Sequence, residues 1–231
     1  MSIKRLALLM PGSTFSNRWV AEMFGLYGHL LQRYHLGMSW AEGNNIYGVR
    51  ENCLAQAMTI DPTGKPDYLL WIDSDNPPSI GGFEHLMAAM EASPEVSAVG
   101  AWYRFFNPYT HTVSAAAGYL ETSGPSHNLD EKSILEADHL IEVDYIGFGF
   151  CLMRSKVVED IGVEKCFEPL AIDPPRNGRT WHTDDAGFFA RARALGHRVF
   201  VHPAVFVEHE KRMNVPGTIE SPVQILEKEL V

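Results

Sequence analysis

Cysteine is scarce in this 231-residue sequence, which contains only three. Cys53, Cys151 and Cys166 stand far apart, and no CxxC pair occurs. An odd number of widely spaced cysteines gives no disulfide framework. We therefore expect free thiols and, as their simplest setting, a reducing cytoplasm.

Long apolar segments are also lacking. The run Leu6–Met10 is too short for the core of a signal peptide and far too short to cross a membrane, and no later run reaches spanning length. We expect no membrane segment. Because no basic amphipathic helix is evident either, a lipid-linked partner is disfavoured.

Positive charge is in deficit. Lysine and arginine number 19 against 29 aspartates and glutamates, so the formal net charge is −10. An acidic surface repels nucleic acids and anionic membranes, which disfavours a general binder of either but leaves room for a local basic patch. The 45% hydrophobic and 21% charged residues are typical of a soluble globular chain. We expect one domain over residues 1–231.

The order of apolar runs and helical patterns predicts an α/β fold. Strands are expected near 5–10, 35–40, 68–72 and 96–102, and helices near 16–33, 47–59 and 82–92. This β-α-β-α-β-α-β order is typical of a doubly wound sheet. We divide the domain into a nucleotide-binding half (1–103), an acceptor and metal half (104–209) and a C-terminal tail (210–231).

The second half predicts a mixture of elements. Strands are expected at 113–120, 141–153, 199–201 and 205–207, helices at 155–161, 184–195 and 223–230, and loops at 122–132 and 168–179. The last two strands flank Pro203, which is expected to separate them.

An acidic cluster follows the most apolar strand. Asp73, Ser74 and Asp75 come directly after residues 68–72, a run typical of a strand buried on both faces. In an open α/β sheet, ligands bind beyond the carboxyl ends of the strands. Two carboxylates there can approach one divalent cation, and Mg²⁺ and Mn²⁺ prefer oxygen ligands. The alternative is a solvated turn, since Asp and Ser favour turns.

This cluster carries a family resemblance. Leu-Leu-Trp-Ile-Asp-Ser-Asp at 69–75, followed by Pro77-Pro78, resembles the metal-binding D-x-D segment of GT-A glycosyltransferases, most closely the family 2-type enzymes with their small bacterial and phage forms. Three further segments resemble family motifs in the same order, at 49–52, 144–154 and 180–209. Each segment alone is weakly specific, but together they are specific.

The resemblance implies a fold and an activity. The fold is a GT-A (Rossmann-like) domain with a mixed, mostly parallel central sheet flanked by helices. The activity is that of a hexosyl- or pentosyltransferase using Mn²⁺ or Mg²⁺ and a nucleotide-diphosphate sugar, with a UDP-sugar favoured. An inverting displacement is favoured, with Asp185 as the base that accepts the proton of the acceptor hydroxyl.

The resemblance also implies roles for single residues. Asp75 is expected to bind the cation directly, His209 to be the C-terminal ligand, and Asp73 to contact the cation, its bound water or the ribose. Asp184 stands where the family has Glu and is assigned to the catalytic pair with Asp185. The residues expected to bind the nucleotide sugar are Pro11, Gly12, Arg50, Asn52, Asp73, Ser74, Gly149, Trp181 and Lys211.

Each of these residues also has a structural interpretation. Arg50 can lie on a solvated helix face, and Gly149 in a bulged strand. Asp184 can simply cap its helix. Trp181 can stack on a sugar ring or belong to the core. His209 can be an exposed histidine at the end of a strand.

Rival functions remain open at this point. Retaining GT-A enzymes share D-x-D, and a nucleotidyltransferase also uses an α/β sheet and Mg²⁺, although residues 11–15 lack the basic loop typical of that class. A catalytically inactive carbohydrate- or nucleotide-binding protein is the non-enzyme alternative. The acceptor can be a glycan, a small molecule, a protein or a modified DNA base. A homo-oligomer is one way to supply the acceptor contacts that so short a chain lacks.

Overall fold

The computed structural model describes residues 3–60, 64–107, 112–120, 127–176 and 179–210. Strands and helices are numbered in chain order. The strands are β1 (Arg5–Pro11), β2 (His35–Ala41), β3 (Tyr68–Ile72), β4 (Val96–Trp102), β5 (Arg104–Asn107), β6 (Thr112–Ala115), β7 (Ala117–Tyr119), β8 (His127–Asn128), β9 (Ile141–Val143), β10 (Tyr145–Ile146), β11 (Phe150–Arg154), β12 (Ala171–Arg176), β13 (Arg179–Trp181) and β14 (Arg198–Phe206). The helices are α1 (Asn17–Leu31), α2 (Ile46–Thr59), α3 (Ile80–Ala92), α4 (Glu131–Leu135), α5 (Ser155–Ile161) and α6 (Asp184–Ala194), with a 3₁₀ turn at Val163–Lys165.

A seven-stranded sheet in the order β2-β1-β3-β11-β4-β14-β9 forms the centre of the domain. The strand β1 pairs in parallel with β2 and β3, and β14 pairs in parallel with β4. The strand β11 lies antiparallel between β3 and β4, and β9 is antiparallel to β14. Five strands therefore share one direction. The prediction of a mixed, mostly parallel sheet flanked by helices is confirmed.

The sheet is covered on both faces because alternate residues of its strands point to opposite sides. In β3, Leu69 and Trp71 join one core cluster, whereas Leu70 and Ile72 join the other. Helices α1 and α3 cover the second face, and α2, α5 and α6 cover the first. Such two-sided burial is why β3 reads as a continuous apolar run.

Local signals set the starts of the main helices. Ser16 accepts a hydrogen bond from the Trp19 amide at the start of α1, and Ser79 does the same for Gly82 at the start of α3. Asn45 caps α2 in a similar way. These caps satisfy amides that have no partner within the helix. In the ranges that the structure describes, no helix is both long enough and apolar enough to cross a membrane.

The predicted single strand at 141–153 is wrong. It is three strands, because the chain leaves the central sheet after β9, pairs β10 with β7 in a separate sheet, and returns as β11. Asp144 marks the first break: its amide donates to the Gly118 carbonyl, and its carboxylate pairs with Arg193. Partners distant in sequence thus override a locally continuous strand pattern.

Three smaller differences have similar causes. The strand predicted at 113–120 is broken at Ala116, whose amide and carbonyl bind Tyr103 and Gly147 instead of a neighbouring strand. The two strands predicted around Pro203 are one strand, β14, with a register shift beside β4. The predicted loop at 122–132 includes β8 and the start of α4, and the predicted loop at 168–179 includes β12 and the start of β13, with which β12 pairs. The helix predicted at 223–230 lies outside the described residues.

Candidate functional site

The two acidic motifs, Asp73–Asp75 and Asp184–Asp185, meet at one edge of the central sheet. The turn Asp73–Asp75 follows β3, Tyr103 follows β4, and His209 follows β14, so all lie at carboxyl ends of strands that share one direction. The first residues of α6, Asp184 and Asp185, reach the same edge. This is the edge where open α/β sheets bind ligands.

The main chain of the Asp73 turn is fixed from three sides. The Asp73 amide donates to the Gly149 carbonyl at 3.1 Å. The Asp73 carbonyl accepts from the Asn76 amide at 3.1 Å and from the Trp19 indole at 2.9 Å. The backbone thus holds the turn, and the side chains of Asp73 and Asp75 make contacts of their own. A solvated turn, the structural alternative, does not describe this arrangement.

Arg50 joins the two acidic motifs. From helix α2 its guanidinium donates to both carboxylate oxygens of Asp73, at 2.8 and 3.0 Å, and through Nε to Asp184. The Arg50 side chain is only 6% exposed, against 18% for Asp73 and 15% for Asp184. The alternative of a solvated helix face for Arg50 is therefore wrong.

The surroundings of Arg50 explain its charge state. Burial lowers the pKa of its guanidinium, but the charges and hydrogen bonds of Asp73 and Asp184 outweigh burial and raise the pKa. The guanidinium also lies 4.6 Å from the ring centre of Phe148 and 5.6 Å from that of Trp71. The guanidinium of Arg50 thus already provides a positive charge beside Asp73. The metal and ribose roles of Asp73 stay predictions.

Asp75 and His209 form a second pair beside the turn. His209 Nε2 lies 3.2 Å from an Asp75 carboxylate oxygen, and His209 Nδ1 lies 3.1 Å from the Arg104 carbonyl. A carbonyl only accepts, so Nδ1 must carry the hydrogen. In a neutral imidazole, Nε2 then directs its lone pair at a carboxylate, which also only accepts. A proton on Nε2, or a metal cation between the two atoms, would satisfy both.

The exit of β14 is tied to the same turn. The Glu210 amide donates to the Asp75 carbonyl at 2.7 Å, and the Asn76 side-chain amide donates to the Glu208 carbonyl at 2.8 Å. These bonds place His209 next to Asp75 and not on the outer surface. Lys211, predicted to bind the nucleotide sugar, and its neighbour Arg212 lie outside the described residues.

Asp185 has an environment suited to holding a proton. Its carboxylate accepts from the Thr183 hydroxyl and from the Ala186 amide at 2.7 Å. Burial, and then the charge of Asp184, raise the pKa of Asp185 to about 6, although the two hydrogen bonds oppose that rise. Its neighbour Asp184 instead pairs with Arg50. The structure thus separates the two acids of α6 by environment, and their catalytic roles stay predictions.

The end of β1 closes against the Asp73 turn. Pro11 is buried, and Gly12 has φ +134°. A Cβ on Gly12 would lie 2.3 Å from Ser74 Oγ, so this close approach requires glycine. Pro11, Gly12 and Ser74 are therefore brought together with the acidic cluster. Their predicted contacts with the nucleotide are not tested by this geometry.

Gly149 is brought to the site, but protein atoms fill the space beside it. A Cβ on Gly149 would lie 2.5 Å from Asn76 Oδ1 and 2.6 Å from the Tyr103 ring, and one on Gly147 would lie 2.1 Å from the Tyr103 hydroxyl. These glycines thus accommodate Tyr103 and Asn76. The predicted sugar contact at Gly149 stays a prediction.

Asn52 and Trp181 stand apart from this cluster. Asn52 lies on an exposed face of α2, two residues from the buried Arg50. Trp181 is 54% exposed at the end of β13, so the alternative of a core tryptophan is wrong. The Tyr47 hydroxyl donates to the His182 carbonyl at 2.7 Å and so ties the segment after Trp181 to α2.

The far end of the segment 144–154, which contains Gly147 and Gly149, lies at the opposite edge of the sheet. Arg154 pairs in register with Tyr68, the first residue of β3, and its guanidinium donates to the carbonyls of Met90, Ser93 and Val96. Arg154 therefore lies away from the edge that carries the acidic cluster. A cavity of about 730 Å³ opens at this opposite edge, lined by Ile3, Lys4, Arg33, Tyr34, Tyr68, Glu91, Pro94 and Arg154. Lys4 pairs there with Glu91.

Sequence reasoning missed Trp19, Asn76 and Tyr103. Asn76 is fully buried, and its Oδ1 has no hydrogen-bond partner in the described part of the chain. The position of Trp19 in α1 indicates only an apolar helix face and not its contact with the Asp73 carbonyl. The signal that was available for Tyr103 is its place directly after a buried strand, the same signal that singled out Asp73.

Comparisons with known proteins address the fold. No family model and no curated protein matches the sequence. Among solved structures, the chain is similar to A197 from STIV, with 13% identity, a TM-score of 0.50, and coverage of 93% of this chain and 99% of that one. It is also similar to GalNAc-T7, solved with UDP, GalNAc and Mn²⁺, with 10% identity, a TM-score of 0.50, and coverage of 92% of this chain but 45% of that one. The fold is therefore GT-A-like.

Proposed function

We propose that this protein is a metal-dependent glycosyltransferase that moves a sugar from a nucleotide-diphosphate donor, most favourably a UDP-sugar, to an acceptor hydroxyl. The observation that carries the proposal is the meeting of Asp75 and His209 with Asp185 at the ligand-binding edge of a GT-A-like sheet. Asp75 and His209 can hold a cation, and Asp185 can accept a proton. A cation can neutralise the leaving diphosphate, and a base can remove the proton of the acceptor hydroxyl.

The cation site fits Mn²⁺ or Mg²⁺. Adjacent ligands of an octahedral ion at about 2.1 Å lie about 3 Å apart, and Asp75 and His209 are 3.2 Å apart. In the described ranges, no group of three or more His, Cys, Asp or Glu side chains is arranged to hold a metal. Diphosphate oxygens and water would complete the shell, as is usual for Mg²⁺. Such a cation would neutralise charge on the leaving diphosphate.

Asp185 is proposed as the general base. Its carboxylate takes the proton of the acceptor hydroxyl, whose oxygen attacks the anomeric carbon. The bond from that carbon to the diphosphate oxygen breaks, and the nucleoside diphosphate leaves with the electron pair. In-line attack inverts the anomeric centre. With a pKa near 6, this carboxylate is ionised at neutral pH yet more basic than an ordinary aspartate.

The comparisons support the donor class only by analogy. The GalNAc-T7 structure holds UDP and Mn²⁺ on a similar fold. The family 2-type assignment rests on the sequence motifs. The three free cysteines are all buried, which suits the proposed reducing cytoplasm.

Calorimetry tests the cation and donor together. Wild-type protein titrated with UDP in Mn²⁺ is expected to bind, and chelation or Asp75→Ala should abolish binding. The matched control is Asp138→Ala, because Asp138 is 97% exposed and pairs with its neighbour His139. Release of UDP from a panel of UDP-sugars then measures turnover. Turnover that survives both chelation and Asp75→Ala would exclude the metal, and an absence of both binding and turnover would exclude the function.

A further inference from the structure

Tyr103 occupies a central place at the proposed active site, although it is neither an acid nor a metal ligand. It follows β4 directly, so its side chain begins at the same sheet edge as Asp73. It is only 8% exposed. Its ring centre lies 5.0 Å from that of His209.

Gly147 and Gly149 leave space for this tyrosine. A methyl group on Gly147 would overlap the Tyr103 hydroxyl, and one on Gly149 would overlap its ring, at 2.1 and 2.6 Å. Any side chain at either position would push Tyr103 out of its place. The two glycines therefore define where the Tyr103 hydroxyl lies.

The hydroxyl is a polar group on a largely buried side chain. Within the ranges that the structure describes, no hydrogen bond to the hydroxyl occurs, and the charges of Asp73, Asp185, Arg50 and Asp75 act on it through space. Burying a hydroxyl without a hydrogen bond costs free energy, so such groups usually have a partner. A bound ligand would supply one.

The protonation state of the hydroxyl decides what it can do. The unperturbed pKa of a tyrosine is about 10, so the phenol keeps its proton at neutral pH. The phenol is therefore a hydrogen-bond donor.

We propose that the Tyr103 hydroxyl donates a hydrogen bond to an oxygen of the transferred sugar, beside the acceptor hydroxyl that Asp185 deprotonates. The inference rests on the proposed function. The diphosphate end of the donor is held at Asp75 and His209, and the sugar is the part that lies between that pair and Asp185. Tyr103 thereby positions the anomeric carbon for attack.

The test is Tyr103→Phe, which keeps the ring that packs on the glycines and removes only the oxygen. UDP release from the best donor of the panel is measured under saturation, and UDP affinity in Mn²⁺ is measured by calorimetry. We expect kcat to fall about tenfold, the rate equivalent of one lost hydrogen bond, with UDP affinity unchanged. The matched control is Tyr68→Phe, at the opposite edge of the sheet, where the hydroxyl accepts from Lys4; its turnover should equal that of the wild type.

A second variant approaches the same hydroxyl from the other side. Gly147→Ala inserts a methyl group where the Tyr103 oxygen lies, and should lower kcat at least as much. An unchanged kcat in Tyr103→Phe would overturn the inference while leaving the proposed function standing. So would a fall in kcat that is accompanied by a comparable fall in UDP affinity and by a lower melting temperature. A wild-type protein without Mn²⁺-dependent UDP binding or turnover would remove both.

Discussion

Replacing Arg50 by methionine tests whether one guanidinium holds the acidic site together. Met keeps an unbranched apolar side chain against Phe148 and Trp71 but removes the charge. Asp73 and Asp184 would then lose three charge-assisted hydrogen bonds at once. Each carboxylate would remain largely buried beside an acid of the same sign.

The size of the effect follows from this burial. Removing one partner of a buried ion pair costs about 3–5 kcal/mol, because the other charge is left uncompensated. Asp73 and Asp184 retain 18% and 15% exposure, and water can solvate part of each. We therefore expect the free energy of unfolding to fall by about 3 kcal/mol, at the lower end of that range.

Urea denaturation followed by circular dichroism measures the loss, with Arg33→Met as the control. Arg33 pairs with Glu84 at the surface, where the two side chains are 52% and 42% exposed, and its replacement should cost about 0–1 kcal/mol. Adding Asp73→Asn and Asp184→Asn to the Arg50 variant removes the unpaired charges and should restore much of the stability. Equal losses for Arg50 and Arg33, or no recovery in the triple variant, would refute the role of charge.

Two further predictions concern Asp185 and Arg154. Because burial and then Asp184 raise the pKa of Asp185 to about 6, kcat/KM should rise with pH up to about that value and then level off. Asp185→Asn should abolish turnover but raise the free energy of unfolding by about 1–3 kcal/mol at about pH 7.5. This gain should shrink as the pH falls and disappear below about pH 3, where the acid is protonated in both the folded and the unfolded state. A flat pH profile or a destabilised variant would contradict this. Arg154→Met should lower the free energy of unfolding by about 2 kcal/mol, since three carbonyls lose a charged donor, and should leave UDP affinity unchanged; weaker UDP binding in calorimetry would place Arg154 at the site after all.

The parts of the fold that could be predicted are those that local pattern determines. The apolar run of β3 and the acids after it indicated both the sheet and its functional edge, because a strand buried on two faces leaves no polar alternation. The division of residues 141–153 could not be predicted, because one long strand and a chain that switches sheets have the same local composition. Contacts between distant residues distinguish them, such as the pairing of Asp144 with Arg193, 49 positions along the sequence.

The site was predicted as a set of residues but not as a set of contacts. Arg50 pairs with Asp73 and Asp184, which lie 23 and 134 positions away, and its contact with a nucleotide stays a prediction. Tertiary contacts of this kind leave no periodic signal in the sequence. Tyr103 could not be predicted for a different reason. A tyrosine after a buried strand is neither an acid nor a usual metal ligand, so its position alone indicates no role.

The charge of the site gives the net charge of the chain a more specific meaning. Four carboxylates, those of Asp73, Asp75, Asp184 and Asp185, meet at this edge, and Arg50 neutralises only part of their charge. A nucleoside diphosphate, itself anionic, would be repelled by what remains. A divalent cation at Asp75 reverses that balance locally, so donor binding should depend on the cation even for the parts of the donor that never touch it. The acidity that disfavours polyanionic partners elsewhere on the surface thereby makes the proposed donor site conditional on its metal.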